Sequence, residues 1–263
     1  MSVSTRHSIK VIIISLLTML IGLALAGCSS SFSESQINEL YAKPGDFKGK
    51  SIKDLNLQVI AVDKVKGAVH LQGVQDFRKY EHPTVVILDK NDISYEEGEY
   101  IKVKGKILGG VTVVDEDGVE MTAVKIKAKK IEKIKSTEAI PAENSIEVGY
   151  DVKENGITGT IEKIDFTSDE IRVYLNLKNN SKQKVEIFPD QSFIEQNGNK
   201  YEVDVNNYLY EDVQMGNVIK SGKSASGVIV FKRIDPNLPF NFTLEGIKGN
   251  KSEFSLEFNL KNE

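Results

Sequence analysis

Two runs of lysine at alternate positions are the densest chemistry in the sequence: Lys102, Lys104 and Lys106, then Lys125, Lys127 and Lys129. A spacing of two puts each trio on one face of a strand. If the two strands are neighbours, six ammonium groups crowd one surface and offer charge to an anionic polymer or a lipid headgroup. Lysine on strand faces also resists edge-to-edge pairing, and that reading explains the same residues with no ligand at all. Few aromatic rings interleave with the lysines, whereas single-stranded nucleic acid needs rings on which bases can stack. No nucleic-acid partner is expected.

The remaining reactive side chains are scattered. Asp115-Glu116-Asp117-Gly118 with Glu120 could gather carboxylates around calcium. The spacing is not that of a helix-loop-helix site, though, and a solvated hairpin turn accounts for it. Asp89, Asp92, Glu96 and Glu97 read the same way. His70 and His82 stand twelve residues apart without a thiol partner, and His82 precedes Pro83 in what reads as a surface loop. Neither zinc ligation nor a Ser/His/Asp array has support, and no glycine-rich phosphate loop is present. The sequence therefore reads as non-enzymatic, with no catalytic, cofactor or metal residue assigned. Asn179, Asn241 and Asn250 begin glycosylation-type triplets but read as turn residues. Tyr208, Leu209 and Tyr210 form an aromatic segment that suits either a partner or packing across the end of a sheet.

The first residues set a compartment. Arg6 and Lys10 precede an apolar run from Val11 to Ala26, and no acidic residue appears before Glu34. Charge, then apolar run, then small residues is the pattern of a secretory leader, and the run is shorter than the roughly 20 residues of a spanning helix. The only cysteine follows in Leu25-Ala26-Gly27-Cys28. This stretch resembles the lipobox of bacterial lipoproteins. The resemblance implies cleavage between Gly27 and Cys28, with lipid on the Cys28 thiol holding the chain on the extracytoplasmic face of the cell membrane. Two acyl chains anchor durably where one anchors marginally. Loss of residues 1–27 removes two basic residues and no acid, leaving 32 Lys and Arg against 38 Asp and Glu, a net charge of −6. With no second cysteine there is no disulfide, so apolar cores must stabilise whatever folds.

The elements that position these residues are mostly strands. After a tether over 28–33, Ser33 and Gln36 form a capping box that opens a short helix ended by Lys43-Pro44-Gly45. From Leu55 onward the period is two, through Leu57 and Val59, Val85 to Leu88, Ile101 to Ile107, and Val124 to Ala128. Gly109-Gly110 and Asp115 to Gly118 read as turns between strands. Residues 135–150 hold Pro141 and few apolar positions and read as a linker. Alternation resumes at Ile157–Phe166 and Ile171–Leu177, followed by the Asn197-Gly198 hairpin signal and strands ending at Leu260. The expectation is an all-β chain with one domain over 34–134 and a second over 151–263.

Each half also resembles a family. The helix Ile37-Asn38-Glu39-Leu40-Tyr41, Phe47-Lys48-Gly49-Lys50, and the strand from Glu97 to Ile107 resemble an exported OB-fold family of the tRNA-anticodon-binding type. That implies a five-stranded barrel with a short N-terminal helix. Residues 155–259, through Lys178-Asn179-Asn180-Ser181 and Ser221 to Phe231, are similar to an immunoglobulin-like sandwich family of bacterial lipoproteins. Together the resemblances imply a non-enzymatic binding or interaction module of the cell envelope, with an envelope protein or anionic polymer as partner. Cys28→Ala is expected to leave an unprocessed precursor that takes up no labelled palmitate. A mutant that matures and acquires label would overturn the lipobox assignment.

Overall fold

A computed structural model describes residues 32–65, 67–89, 95–114, 117–249 and 252–260. Gly27, Cys28 and the leader lie outside these residues, as do Asp92, Asp115, Glu116 and Asn250. Helix α1 (Glu34–Ala42) starts as the capping box requires. The Gln36 amide donates to Ser33 Oγ at 3.3 Å, and the Ser33 amide donates to Gln36 Oε1 at 2.9 Å. One 3-10 turn, Pro44–Phe47, follows and buries Phe47.

The all-β expectation holds. Strands β1 (Ser51–Val65), β2 (Ala68–Asp76), β3 (Glu81–Leu88), β4 (Tyr100–Val114) and β5 (Glu120–Ile134) close into a barrel of order β1-β2-β3-β5-β4. Strands β3 and β5 run parallel, from Thr84 opposite Val124 to Ile87 opposite Lys127, while the other neighbours are antiparallel. Alternation supplies the core: Leu55, Leu57 and Val59 of β1 meet Leu71, Val86, Ile101, Val103 and Ile126, all at most 2% exposed.

Gly109-Gly110 is not a turn. Strand β4 continues through it, and pairing with β5 runs from Tyr100↔Ile134 out to Val114↔Glu120, with irregularities at Lys104/Gly105 and Ile107/Gly109. Gly109 takes φ +111°, open to glycine, and a β-carbon on Gly110 would stand 3.0 Å from Pro44 Cγ. The pair thus bends the strand and lets the turn after α1 pack against it. Beyond the bend, the two strands form an arm.

The expected linker is shorter than its composition suggested. A helical turn at Ser136–Ala139 follows β5, and β6 (Asn144–Glu154) is already strand, paired to β7 (Ile157–Phe166). Most of β6 is exposed, but Ile146, Val148, Tyr150 and Val152 alternate along it, and Val148 and Val152 pack on the core. Strands β6 and β7 join β8 (Glu170–Asn179) and β13 (Ser224–Lys232) in one sheet of order β13-β8-β7-β6. The facing sheet contains β9 (Val185–Ile187), β10 (Phe193–Gln196), β11 (Asn199–Glu202), β12 (Val218–Ile219), β14 (Phe240–Lys248) and β15 (Ser252–Leu260). Between them lies a core of Ile161, Val173, Leu175, Phe231, Phe242, Leu256 and Phe258. Asn197-Gly198 turns the β10–β11 hairpin, with φ of +53° and +77°.

Barrel and sandwich share a third apolar cluster. Phe77 and Tyr100 from the barrel and Ala139 and Ile140 from the connection pack with Leu209, Tyr210, Val228 and Val230 of the sandwich. Tyr100 Oη donates to the Leu209 carbonyl at 2.9 Å. Inside this cluster Arg78 Nη2 stands 2.7 Å from Glu170 Oε2, a carboxylate whose side chain is 1% exposed. The Tyr210 hydroxyl donates to the other oxygen of Glu170. Burial alone would lower the Arg78 pKa; hydrogen bonding and charge from Glu170 reverse this and hold it above its ordinary value. Fully buried Arg172 donates to the Ile140 carbonyl at 2.7 Å. Nearby Asp165 accepts from Ser145, Tyr174 and Lys163. Those bonds outweigh the burial that would raise it and keep Asp165 below the usual carboxylate range.

Candidate ligand site

A cavity of about 460 Å³ opens where β1, β2 and β3 meet the β4–β5 arm. Its floor is built from Gln58–Ala61, Gln72, Gly73 and Pro83–Val85, and the arm contributes Val113, Val114, Met121 and Ala123. Each wall follows from a local feature. Strand β1 meets β4 only as far as Gln58, so beyond Val59 it is paired on one side, to β2, with a bulge between Val59 and Ala61. Gly73 lets β2 lie close to β1, because a β-carbon there would stand 2.8 Å from the Gln58 carbonyl oxygen. Tyr80 at the rim is 55% exposed and holds φ +54°.

Gln58, Gln72 and Thr84 give the floor of this space a polar side, opposite the apolar arm. The Gln58 side-chain carbonyl is buried and has no hydrogen-bond donor among the described residues. Among the described residues, Glu97 is the charged residue of the lining, with no lysine or arginine. The site therefore offers apolar contact from the arm, polar side chains on the floor, and the Glu97 carboxylate. It fits a neutral or cationic group that carries an N–H or O–H, on the general pattern of apolar pockets with a few convergent polar atoms.

The six lysines do share neighbouring strands, with Lys106 opposite Lys127. Three of them are engaged by carboxylates. Lys102 pairs with Glu138, Lys104 lies 3.5 Å from Asp54, and Lys127 lies 2.7 Å from Asp89. The hydrogen bond to Glu138 raises the Lys102 pKa. Lys106, Lys125 and Lys129 form no ion pair among the described residues. None of the six lines the cavity.

Other residues differ from expectation. His82 lies in β3, stacked on Tyr41 at 4.3 Å between centroids, with Nδ1 2.9 Å from Gln75 Oε1. Its place before Pro83 suggested a loop because the sequence does not reveal the ring waiting on α1. Tyr210 is fully buried at the joint, whereas Tyr208 is 42% exposed. Among the described residues no group of three or more His, Cys, Asp or Glu is placed to hold a metal ion. No described helix is long and apolar enough to cross a membrane.

Sequence reasoning missed Gln58, since a glutamine between Leu57 and Val59 reads as the watered face of a strand. The available signal was the apolar continuation Val111, Val113, Val114, Val119 and Met121 past the glycine pair, far more than a turn needs. No family model and no curated protein matches the chain. Among solved structures it is similar to a functionally unknown protein from Listeria monocytogenes EGD-e, at 12% identity and a TM-score of 0.38, over 49% of this chain and 94% of that one.

A buried carbonyl left without a donor costs roughly 1–3 kcal/mol. Gln58→Leu is therefore expected to raise the ligand-free stability by about 1 kcal/mol, read from denaturant midpoints at unchanged slope. A fall in stability would mean that Gln58 is satisfied.

Proposed function

We propose that this protein is a lipid-anchored, extracytoplasmic binding module of the cell envelope, without enzymatic activity, whose barrel takes an apolar segment of a partner protein into the cavity beside Gln58. The leader and the lone Cys28 after Ala26-Gly27 support the anchor. The barrel's strand order, with parallel β3 and β5 and a short helix before β1, supports the OB-like reading. OB folds bind ligands on the β2–β3 face and in the loop between strands four and five, the region where this cavity lies. The two facing sheets that follow support the immunoglobulin-like reading.

One observation carries the choice of ligand: a cavity with an apolar arm, next to a buried Gln58 carbonyl that has no donor among the described residues. A peptide supplies both the amide donor and the apolar side chain, and β1 beyond Val59, paired on one side only, leaves room for an added strand. Capture of an anionic polymer through the lysine stripe is the weaker alternative, because Glu138, Asp54 and Asp89 neutralise half of it.

A photo-crosslinking amino acid at Val114 tests the proposal in cells. The expected result is a discrete protein adduct absent when the probe stands at Lys200, and reduced about tenfold by Gln58→Leu, the worth of one hydrogen bond of ~1.4 kcal/mol. Identical patterns from Val114 and Lys200, or indifference to Gln58→Leu, would refute it.

A further inference from the structure

We infer that the anchored protein rests the α1 end of its barrel on the membrane, where a lysine cluster distinct from the full strand stripe sits on anionic phospholipid headgroups. This rests on the anchored reading of Cys28 and adds to it an orientation and a lipid class.

The cluster is assembled by the bend at Gly109-Gly110. The Gly49 amide donates to the Ile107 carbonyl at 2.8 Å, and the Ile107 amide donates to the Lys50 carbonyl at 2.9 Å. These bonds bring the turn after α1 beside the free end of the stripe. The Lys106 chain passes Gly49 and the Lys48 chain passes Gly109, each 4.0 Å from where a β-carbon would stand. Gly109 is in turn opposite Lys125. Lys43 precedes Pro44, whose ring lies on Gly110. Lys43, Lys48, Lys50 and Lys106 are exposed and Lys125 is half-buried. None of the five forms an ion pair among the described residues. Lys50 sits over the Phe47 ring at 4.0 Å. Asp46 is the acidic residue of the turn, and Asp89 is taken up by Lys127.

The tether decides what faces this cluster. Phe32 packs on Phe47 at 5.7 Å between ring centroids, and Phe47 is the neighbour of Lys48. Phe32 is four residue steps from Cys28, a reach of at most about 14 Å. A lipid on Cys28 therefore holds the lysine cluster close to the headgroups whatever the tether's path. The charge of −6 over residues 28–263 does not oppose this docking at long range, because fields are screened within about 10 Å at 0.1 M salt. Only the nearest charges are felt, and there Lys43, Lys48, Lys50, Lys106 and Lys125 outnumber Glu34, Glu39 and Asp46. Basic residues beside a lipid anchor provide the second signal that membrane attachment commonly uses.

The test uses the lipidated protein in vesicles of phosphatidylcholine alone or mixed with phosphatidylglycerol. A water-soluble acylating reagent is applied and modification of each lysine is read by mass spectrometry. With phosphatidylglycerol, Lys48, Lys50 and Lys106 are expected to be acylated about fivefold more slowly, the factor for one lysine near an anionic surface. High salt should abolish the protection, and Lys200 and Lys223 should not change. Lys43 and Lys125 should share the protection and lose it in K48Q/K50Q/K106Q. Equal rates in both vesicles, with lipid present on the Cys28 peptide, overturn the orientation and leave the anchor standing. A Cys28 peptide without lipid overturns the anchor and this inference with it.

Discussion

The contact between Arg78 and Glu170 is the constraint on which the arrangement of this molecule depends. A carboxylate with a 1% exposed side chain is costly to bury and persists only where partners compensate it. Here a guanidinium from the barrel and a phenol from the sandwich's own Tyr210 do so together. The partners come from two bodies that also meet through Phe77, Tyr100, Leu209 and Tyr210, and the charge pair adds a directional contact to that apolar packing. Phe77 and Tyr100, edge to face at 5.2 Å, exclude water from one side, and Leu209 and Val230 from the other.

That joint reaches the candidate ligand site through one short turn. Residues Phe77 to Tyr80 connect β2 to β3. Phe77 and Arg78 belong to the joint, and Tyr80, two residues on, stands at the rim of the cavity. Tyr80 and His82 both hold positive φ, at +54° and +63°, a conformation that costs free energy in non-glycine residues and persists where surroundings impose it. Along this stretch, Arg78 is held by Glu170 of the sandwich and the His82 ring is stacked on Tyr41. The residue at the rim of the cavity thus lies two positions from one that contacts the second body.

Alternation made the strands legible. Leu55-Leu57-Val59, Ile101 to Ile107 and Ile171 to Leu177 alternate because each has one face on a core, and Ser33 with Gln36 announces α1 in two residues. Features that depend on a distant partner were hidden. Gly109-Gly110 reads as a turn until Pro44 is seen lying on it, and with that misreading the arm and its cavity disappear. Strand β6 does alternate, through Ile146, Val148, Tyr150 and Val152, but Pro141 and the polar residues before it masked that period. The lysine stripe was visible as spacing, but its neutralisation comes from Glu138, Asp54 and Asp89, which lie on other elements. Gln58 looks like any outward polar residue of a strand. Arg78 and Glu170, 92 positions apart, carry no local mark of their pairing.

Calorimetric unfolding of Arg78→Ala beside the unaltered chain addresses the joint most directly. The unaltered chain is expected to unfold in one cooperative transition. The variant, with Glu170 left buried and unpaired, should lose about 3 kcal/mol or more, and its barrel and sandwich should unfold in separate steps. A variant that melts in one transition within about 0.5 kcal/mol of the original, the range of an ordinary surface substitution, would contradict the account.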